Sequence, residues 1–143
     1  MMVKELINKL TDTKITLKNL NKKTAQEVFD YIANHLLTQN AQSKDPNNGA
    51  CLYRGPDGKK CAVGILFEDS DYDRNYEGTN WIGLCVDDAF PQRHKILIHK
   101  LQEIHDNMPA NHWRFYLKCL AREYALNFVD IDGSVMSIGY NKI

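Results

Sequence analysis

Residues 91–126 read PQRHKILIHKLQEIHDNMPANHWRFYLKCLAREYAL, and this stretch decides the fold class. Leu97, Leu101, Ile104 and Met108 recur at three- and four-residue intervals, which places them on one buried face of a helix. Trp113, Leu117, Leu120 and Tyr124 repeat the pattern on a second helix. Only Pro109-Ala110-Asn111 connects the two, so they should lie antiparallel, with Asn111 suited to a helix cap. Pro91 suits the first turn of the earlier helix, where its missing N–H costs nothing.

Towards the N-terminus, Thr24-Ala25-Gln26-Glu27 is a capping box, and the helix it opens runs to about Gln39 with Val28, Phe29, Ile32, Leu36 and Leu37 inward. The polar run from Asn40 to Asn48, followed by Gly49, reads as a surface loop. Cys51-Leu52-Tyr53-Arg54 and Lys59-Lys60-Cys61 flank Gly55-Pro56-Asp57-Gly58 as the arms of a hairpin whose turn has proline second and glycine fourth. Cys61 to Phe67 fits a buried strand or a short buried helix, of which we take the helix. Glu68 to Asn80 is an acidic surface excursion, after which Trp81 restarts an apolar pattern to Phe90. Phe128 to Ile138 reads as a second hairpin turning at Asp132-Gly133. At the other end, Val3, Leu6, Ile7 and Leu10 have helical spacing, and Thr13, Ile15 and Leu17 alternate with polar residues as a strand would. The expected architecture is α+β: a mostly helical single domain over residues 1–143, with a small antiparallel sheet from hairpins near 51–61 and 127–138.

With 143 residues, 43% of them hydrophobic and 25% charged, the chain can bury one core without staples. Eighteen basic residues balance eighteen acidic ones, which argues against bulk binding to nucleic acid or to an anionic membrane. The charge is uneven: net +4 over residues 1–60, −6 over 61–90 and +2 over 91–143. A solvated acidic loop accounts for the middle block. The start of the chain lacks the apolar run of a signal peptide and no stretch approaches a membrane span, so the expected location is a cytosol. Cys51, Cys61, Cys85 and Cys119 are then expected to be free thiols.

Several constellations carry chemistry. The hairpin exposes Arg54, Lys59 and Lys60 around two glycines beside Tyr53, and a helix starting at Cys61 would add backbone donors, so a small anion could sit there. An ordinary basic turn is the bland alternative. Cys61 in that setting could be a thiolate nucleophile served by a histidine, with His105 beside Asp106 the candidate pair, or it could simply fill the core. No two cysteines have the spacing of a zinc knuckle, so zinc would need Cys51, Cys61 and Cys85 brought together with a histidine, and no metal or cofactor is expected. Asp69, Asp71, Asp73, Asn75 and Glu77 alternate like calcium ligands, but Arg74 stands where a glycine is needed and Asn80 where a closing glutamate is needed. His94 and His105 are spaced to share a helix face, and Trp81 and Trp113 read as core anchors.

Taken together, Thr24-Ala25-Gln26-Glu27-Val28-Phe29-Asp30, His35-Leu36-Leu37, Cys51-Leu52-Tyr53-Arg54 with Gly58 and Cys61-Ala62-Val63-Gly64, Glu77-Gly78, Leu101-Gln102 and Ile104-His105-Asp106 resemble a family of small uncharacterised bacteriophage and prophage proteins over residues 24–126. The resemblance implies a phage setting in the host cytosol rather than a mechanism, and directs attention to the hairpin and to the His105-Asp106 pair. The leading expectation is an accessory binding protein that counters host defence by contacting a host protein or a small anionic or nucleotide ligand through Tyr53, Arg54, Lys59 and Lys60. The alternatives are a small cysteine-dependent enzyme using Cys61 with a histidine, and a virion or assembly protein that forms a homo-oligomer.

Overall fold

A computed structural model describes residues 14–136 of the chain. Among them are four α-helices, α1 (Ala25–Gln39), α2 (Trp81–Leu84), α3 (Lys95–Asn107) and α4 (Trp113–Glu123). Strands β1 (Phe128–Val129) and β2 (Val135–Met136) form one antiparallel sheet. The fold is therefore the expected α+β, mostly helical class. The expected helix Val3–Leu10, together with Thr13 and the end of the tail hairpin beyond Met136, lies outside the described residues. Among the described residues no helix is long and apolar enough to cross a membrane.

The capping box of α1 is formed in both directions: Thr24 Oγ1 accepts from the Glu27 amide at 3.1 Å, and Glu27 Oε1 accepts from the Thr24 amide at 2.9 Å. Such a cap contributes about 1 kcal/mol. At the other end Asn40 turns left-handed, at φ 50°, and its amide donates to the Leu36 carbonyl. The buried stripe from Val28 to Leu37 packs on α3 and α4. On its outer face, Gln26 reaches the far end of the chain: its Nε2 donates to the Asn127 carbonyl and its Oε1 accepts from the Asn127 amide.

Helices α3 and α4 run antiparallel. Trp113 Nε1 donates to the Met108 carbonyl at 2.9 Å at the turn, while Lys100 pairs with Glu123 at the opposite end. Both starts differ from expectation. Pro91 lies outside the helix because the Gln92 side chain binds the Cys85 and Phe90 carbonyls and holds the chain in a turn. Helix α3 begins only after His94, which is left-handed and engages the Lys23 carbonyl through Nε2. His94 and His105 therefore do not share a helix face. Asn111 does not cap α4; it lies inside a 3-10 turn, Ala110–His112, that runs directly into the helix.

The strand expected around Ile15 is also absent. Asn19 accepts from the Thr16 amide and donates to the Lys14 carbonyl, a local side-chain pattern that competes with strand pairing and leads into a 3-10 turn, Leu20–Lys22. Ile15 is buried all the same, at 1% exposure.

The first hairpin is reduced to one antiparallel bridge between Arg54 and Lys60, and its turn is shifted by one residue. Lys59 donates to the Pro56 carbonyl at 3.2 Å, with Asp57 (φ 60°, ψ 31°) and Gly58 (φ 74°) both left-handed between them. That is a type I′ turn with Asp-Gly at its centre and proline first, the form whose twist matches the flanking strands. The tail hairpin pairs Phe128 with Met136 and Val129 with Val135 around Gly133, as read from Asp132-Gly133. Cys61 to Phe67 contains a short 3-10 turn, Gly64–Leu66, and Trp81 and Trp113 are fully buried.

Candidate functional site

The extended segment Ala50–Tyr53 is fastened on one side by a bridge from Cys51 to Lys44: Asp45 donates to the Ala50 carbonyl at 2.8 Å and Leu52 to the Ser43 carbonyl at 2.9 Å. Glu77 fastens its far end. Its carboxylate accepts the Tyr53 amide at 2.8 Å, the Arg54 amide at 3.2 Å and the Tyr72 hydroxyl at 2.7 Å. The Tyr53 hydroxyl donates in turn to the Thr79 carbonyl. These bonds hold Gly78–Asn80 opposite Ala50–Tyr53, and between them lies a cleft of about 270 Å³ closed by Cys61, Gln102 and Asp106.

Consecutive residues on a helix rarely face one another, yet His105 Nδ1 lies 2.8 Å from Asp106 Oδ1 near the end of α3. The reason is on the other side of the ring. The Ser43 amide lies 2.9 Å from His105 Nε2, and an amide N–H can only donate. Nε2 therefore carries a lone pair, the ring proton sits on Nδ1, and that N–H points at Asp106. Asp106 Oδ1 also accepts from Gln102 Nε2 at 2.7 Å, and Gln102 Oε1 accepts from the Val63 amide at 2.9 Å. Gln42 completes the anchorage by donating to the His105 and Met108 carbonyls at the end of α3.

This arrangement bears on each chemical role expected of the site. His105 is fully buried with both nitrogens engaged, so it has no free position from which to move a proton to a ligand. The ligating atoms of Cys51, His105 and Asp106 lie within 4.8 Å of one another. A metal on His105 Nδ1 would require that nitrogen to lose its proton while Nε2 keeps its lone pair for Ser43, leaving an imidazolate. The trio thus fits a hydrogen-bond network and not a metal ion. Cys85 sits apart, its Sγ donating to the Pro91 carbonyl at 3.7 Å.

Cys61 is 1% exposed and its sulfur accepts from the Gly64 amide at 3.3 Å. Burial outweighs that bond and pushes the thiol up to about 12; burial also pushes Cys51 and Cys85 to about 11. A catalytic thiolate needs the opposite shift. Labelling of the native protein with iodoacetamide should accordingly reach the exposed Cys119 first, with Cys51 rising steadily between pH 8 and 10 as its thiolate fraction grows roughly tenfold per unit. Cys61 should stay unlabelled until the protein is unfolded, and rapid labelling of Cys61 below pH 8, read by peptide mass spectrometry, would restore the nucleophile reading.

The hairpin residues expected to hold an anion have the following partners. Arg54 is turned to Asp69 at 2.7 Å and to the Phe67 carbonyl at 3.1 Å, with its guanidinium 4.9 Å from the centre of the Tyr72 ring. Lys59 lies 3.9 Å from the Asp57 carboxylate. Lys60 is held through its backbone, its amide on Gln39 and its carbonyl shared by Gln39 and His35, whose imidazole burial shifts below the ordinary value. Of the proposed contact residues Tyr53 alone lines the cleft. The acidic excursion does not gather its carboxylates: Asp71 and Asp73 close local turns, Asp69 meets Arg54, and Glu77 meets the Tyr53 and Arg54 amides.

Ser43 was not singled out in the sequence, while Glu77 was read only as a calcium-like ligand and both Glu77 and Gln102 entered through the resemblance without these roles. The spacing of Gln102, four positions before Asp106 and so on the same helix face, is the signal that could have found its role. No family model, no curated protein and no solved structure matches this chain.

Proposed function

We propose that this chain is an accessory binding protein rather than a catalyst, and that it meets its partner at the cleft between Ala50–Tyr53 and Gly78–Asn80. The observation that carries the reading is the spending of chemistry on rigidity. His105 has both ring nitrogens in hydrogen bonds, Cys61 is buried and protonated, and the bonds that would make a catalytic dyad instead fix one carboxylate, Asp106, at the cleft. Pre-set polar groups on rigid elements favour recognition because little ordering is left to do on binding. The resemblance to small phage and prophage proteins supplies the setting we infer, a host cytosol with a host protein as the partner, where such a protein would counter host defence.

The test is a plug. Ala50 is exposed at the mouth of the cleft, so Ala50→Trp should fill it while leaving circular dichroism and the melting temperature unchanged. Tagged wild-type protein from host cells should retain its partner through gel filtration and Ala50→Trp should lose it. Equal retention by both would place the contact elsewhere on the surface.

A further inference from the structure

We infer that the cleft takes a primary ammonium group, of the kind that ends a lysine side chain, on the outer oxygen of the Asp106 carboxylate. The inference rests on the reading of the cleft as the contact point and specifies its chemistry.

Asp106 Oδ1 accepts two N–H donors, Gln102 and His105, which uses the lone pairs of that atom. Oδ2 accepts no N–H from the described residues; the Cys51 thiol is the side chain that bonds to this carboxylate beside Gln102 and His105, and the Asp106 side chain keeps 34% of its exposure, so Oδ2 is open to a stronger donor from the cleft. Its position is set from behind. Gln102 is held by the Val63 amide, and His105 by the Ser43 amide and by the Trp113 ring at 5.5 Å. An acceptor fixed in this way binds a donor with little loss of side-chain freedom.

A second acceptor stands on the rim. The bridge between Lys44 and Cys51 is made by the residues on either side of them, so the N–H and C=O of Cys51 point away from Lys44 and have no partner among the described residues. An ammonium has three donors and can use Oδ2, the Cys51 carbonyl and water together. A guanidinium suits the site less well, because its fork seeks both carboxylate oxygens at once and Oδ1 is already occupied.

Charge and size agree. The rim segment Gly78–Asn80 belongs to the stretch with net charge −6, and no lysine or arginine lines the cleft. A phosphate or carboxylate placed there would face Asp106 without compensation, whereas a cation would be drawn in. The volume, about 270 Å³, falls below the usual range of roughly 300–1,000 Å³ for drug-sized ligands and fits the end of one side chain rather than a nucleotide.

The experiment is an amide-resolved NMR titration of the ¹⁵N-labelled full chain. Nα-acetyl-lysine methylamide should shift the amides of Cys51, Thr79 and Asp106 saturably, in the millimolar range. The norleucine analogue, identical but for the ammonium, should not. Asp106→Asn keeps an oxygen for Gln102 and His105 and should weaken binding about tenfold, as expected for a lost hydrogen bond to a charged group. Cadaverine distinguishes the source of the amine: tighter binding than the lysine amide points to a free polyamine, and weaker binding to a lysine within a protein. Equal shifts from the norleucine analogue on the wild-type protein, or undiminished binding by Asp106→Asn, would overturn the inference. A silent lysine probe alongside loss of the host partner by Ala50→Trp would sink the ammonium alone and leave the cleft as the contact point.

Discussion

Replacing Gly64 by alanine is expected to remove a large share of the stability of the fold. A methyl group on Gly64 would sit 2.0 Å from the Tyr53 carbonyl oxygen and 2.9 Å from its carbon. The obstacle is backbone, so no rotamer change relieves it. The backbone of Tyr53 cannot retreat cheaply, because its amide is bound by Glu77 and its hydroxyl by Thr79, while Gly64 itself starts the 3-10 turn that carries the fully buried Leu66. Overpacking commonly costs 1–3 kcal/mol where side chains can shift; with main chain on both sides a loss of about 4–5 kcal/mol is expected, out of a typical total of 5–15. Gly55→Ala is the matched control. Its methyl would meet Ser43 Oγ at 2.4 Å, a side-chain atom that can rotate away at the expense of its bond to the Lys59 carbonyl, so about 1 kcal/mol is expected. Urea titration followed by circular dichroism checks both. A midpoint for Gly64→Ala equal to that of Gly55→Ala would refute the close packing of these two backbones.

The second large effect is at His105. Substitution by leucine fills much of the volume but removes both nitrogens. The Ser43 amide then has no acceptor in a place where Ser43 and His105 are both 0% exposed, and Asp106 loses one of the two donors that orient it. An orphaned buried donor costs 1–3 kcal/mol, and the lost ring contact with Trp113 adds to it, so about 2–4 kcal/mol is expected. The urea midpoint should fall accordingly, and the Ser43 amide should exchange with deuterium faster than in the wild type. Wild-type stability in His105→Leu would mean that the imidazole is there for chemistry and not for support, which would reopen the catalytic reading.

The legible parts of this sequence are those in which the signal is local. The capping box and stripe of α1 gave both its start and its last residue, and the apolar spacing of Leu97 to Ile104 and of Trp113 to Leu120 gave the helix pair. Asp132-Gly133 gave the tail turn for the same reason, since the left-handed angles are a property of those residues. What failed depended on side chains that bind nearby backbone groups, which apolar periodicity does not announce. Pro91 was misplaced because Gln92 reaches back to Cys85, and the strand at Ile15 because Asn19 folds the backbone onto itself. In the first hairpin two good turns competed, and the one with Asp57-Gly58 at its centre prevailed over the one with Pro56 second.

The candidate site shows the same division more sharply. His105 and Asp106 were picked out as a pair, but their role is decided by the Ser43 amide, 62 residues away, and a backbone group leaves no mark in a sequence. Arg54 was read as a free cation because nothing nearby in sequence announces that Asp69 will meet it. The acceptor proposed here for an amine emerges only once Gln102, Val63 and Cys51 are assembled around Asp106, from three separate segments.

The grip of Gln26 on Asn127 carries a consequence for the birth of the molecule. The two residues are separated by 101 positions, so on a ribosome adding roughly 5–20 residues per second the helix that bears Gln26 emerges some seconds before the amide it must hold. Its apolar stripe is bare for the same interval, since α3 and α4 are also yet to be made. The native arrangement can therefore close only after residue 127 has been made, and until then the stripe of α1 is open to anything that binds apolar helices.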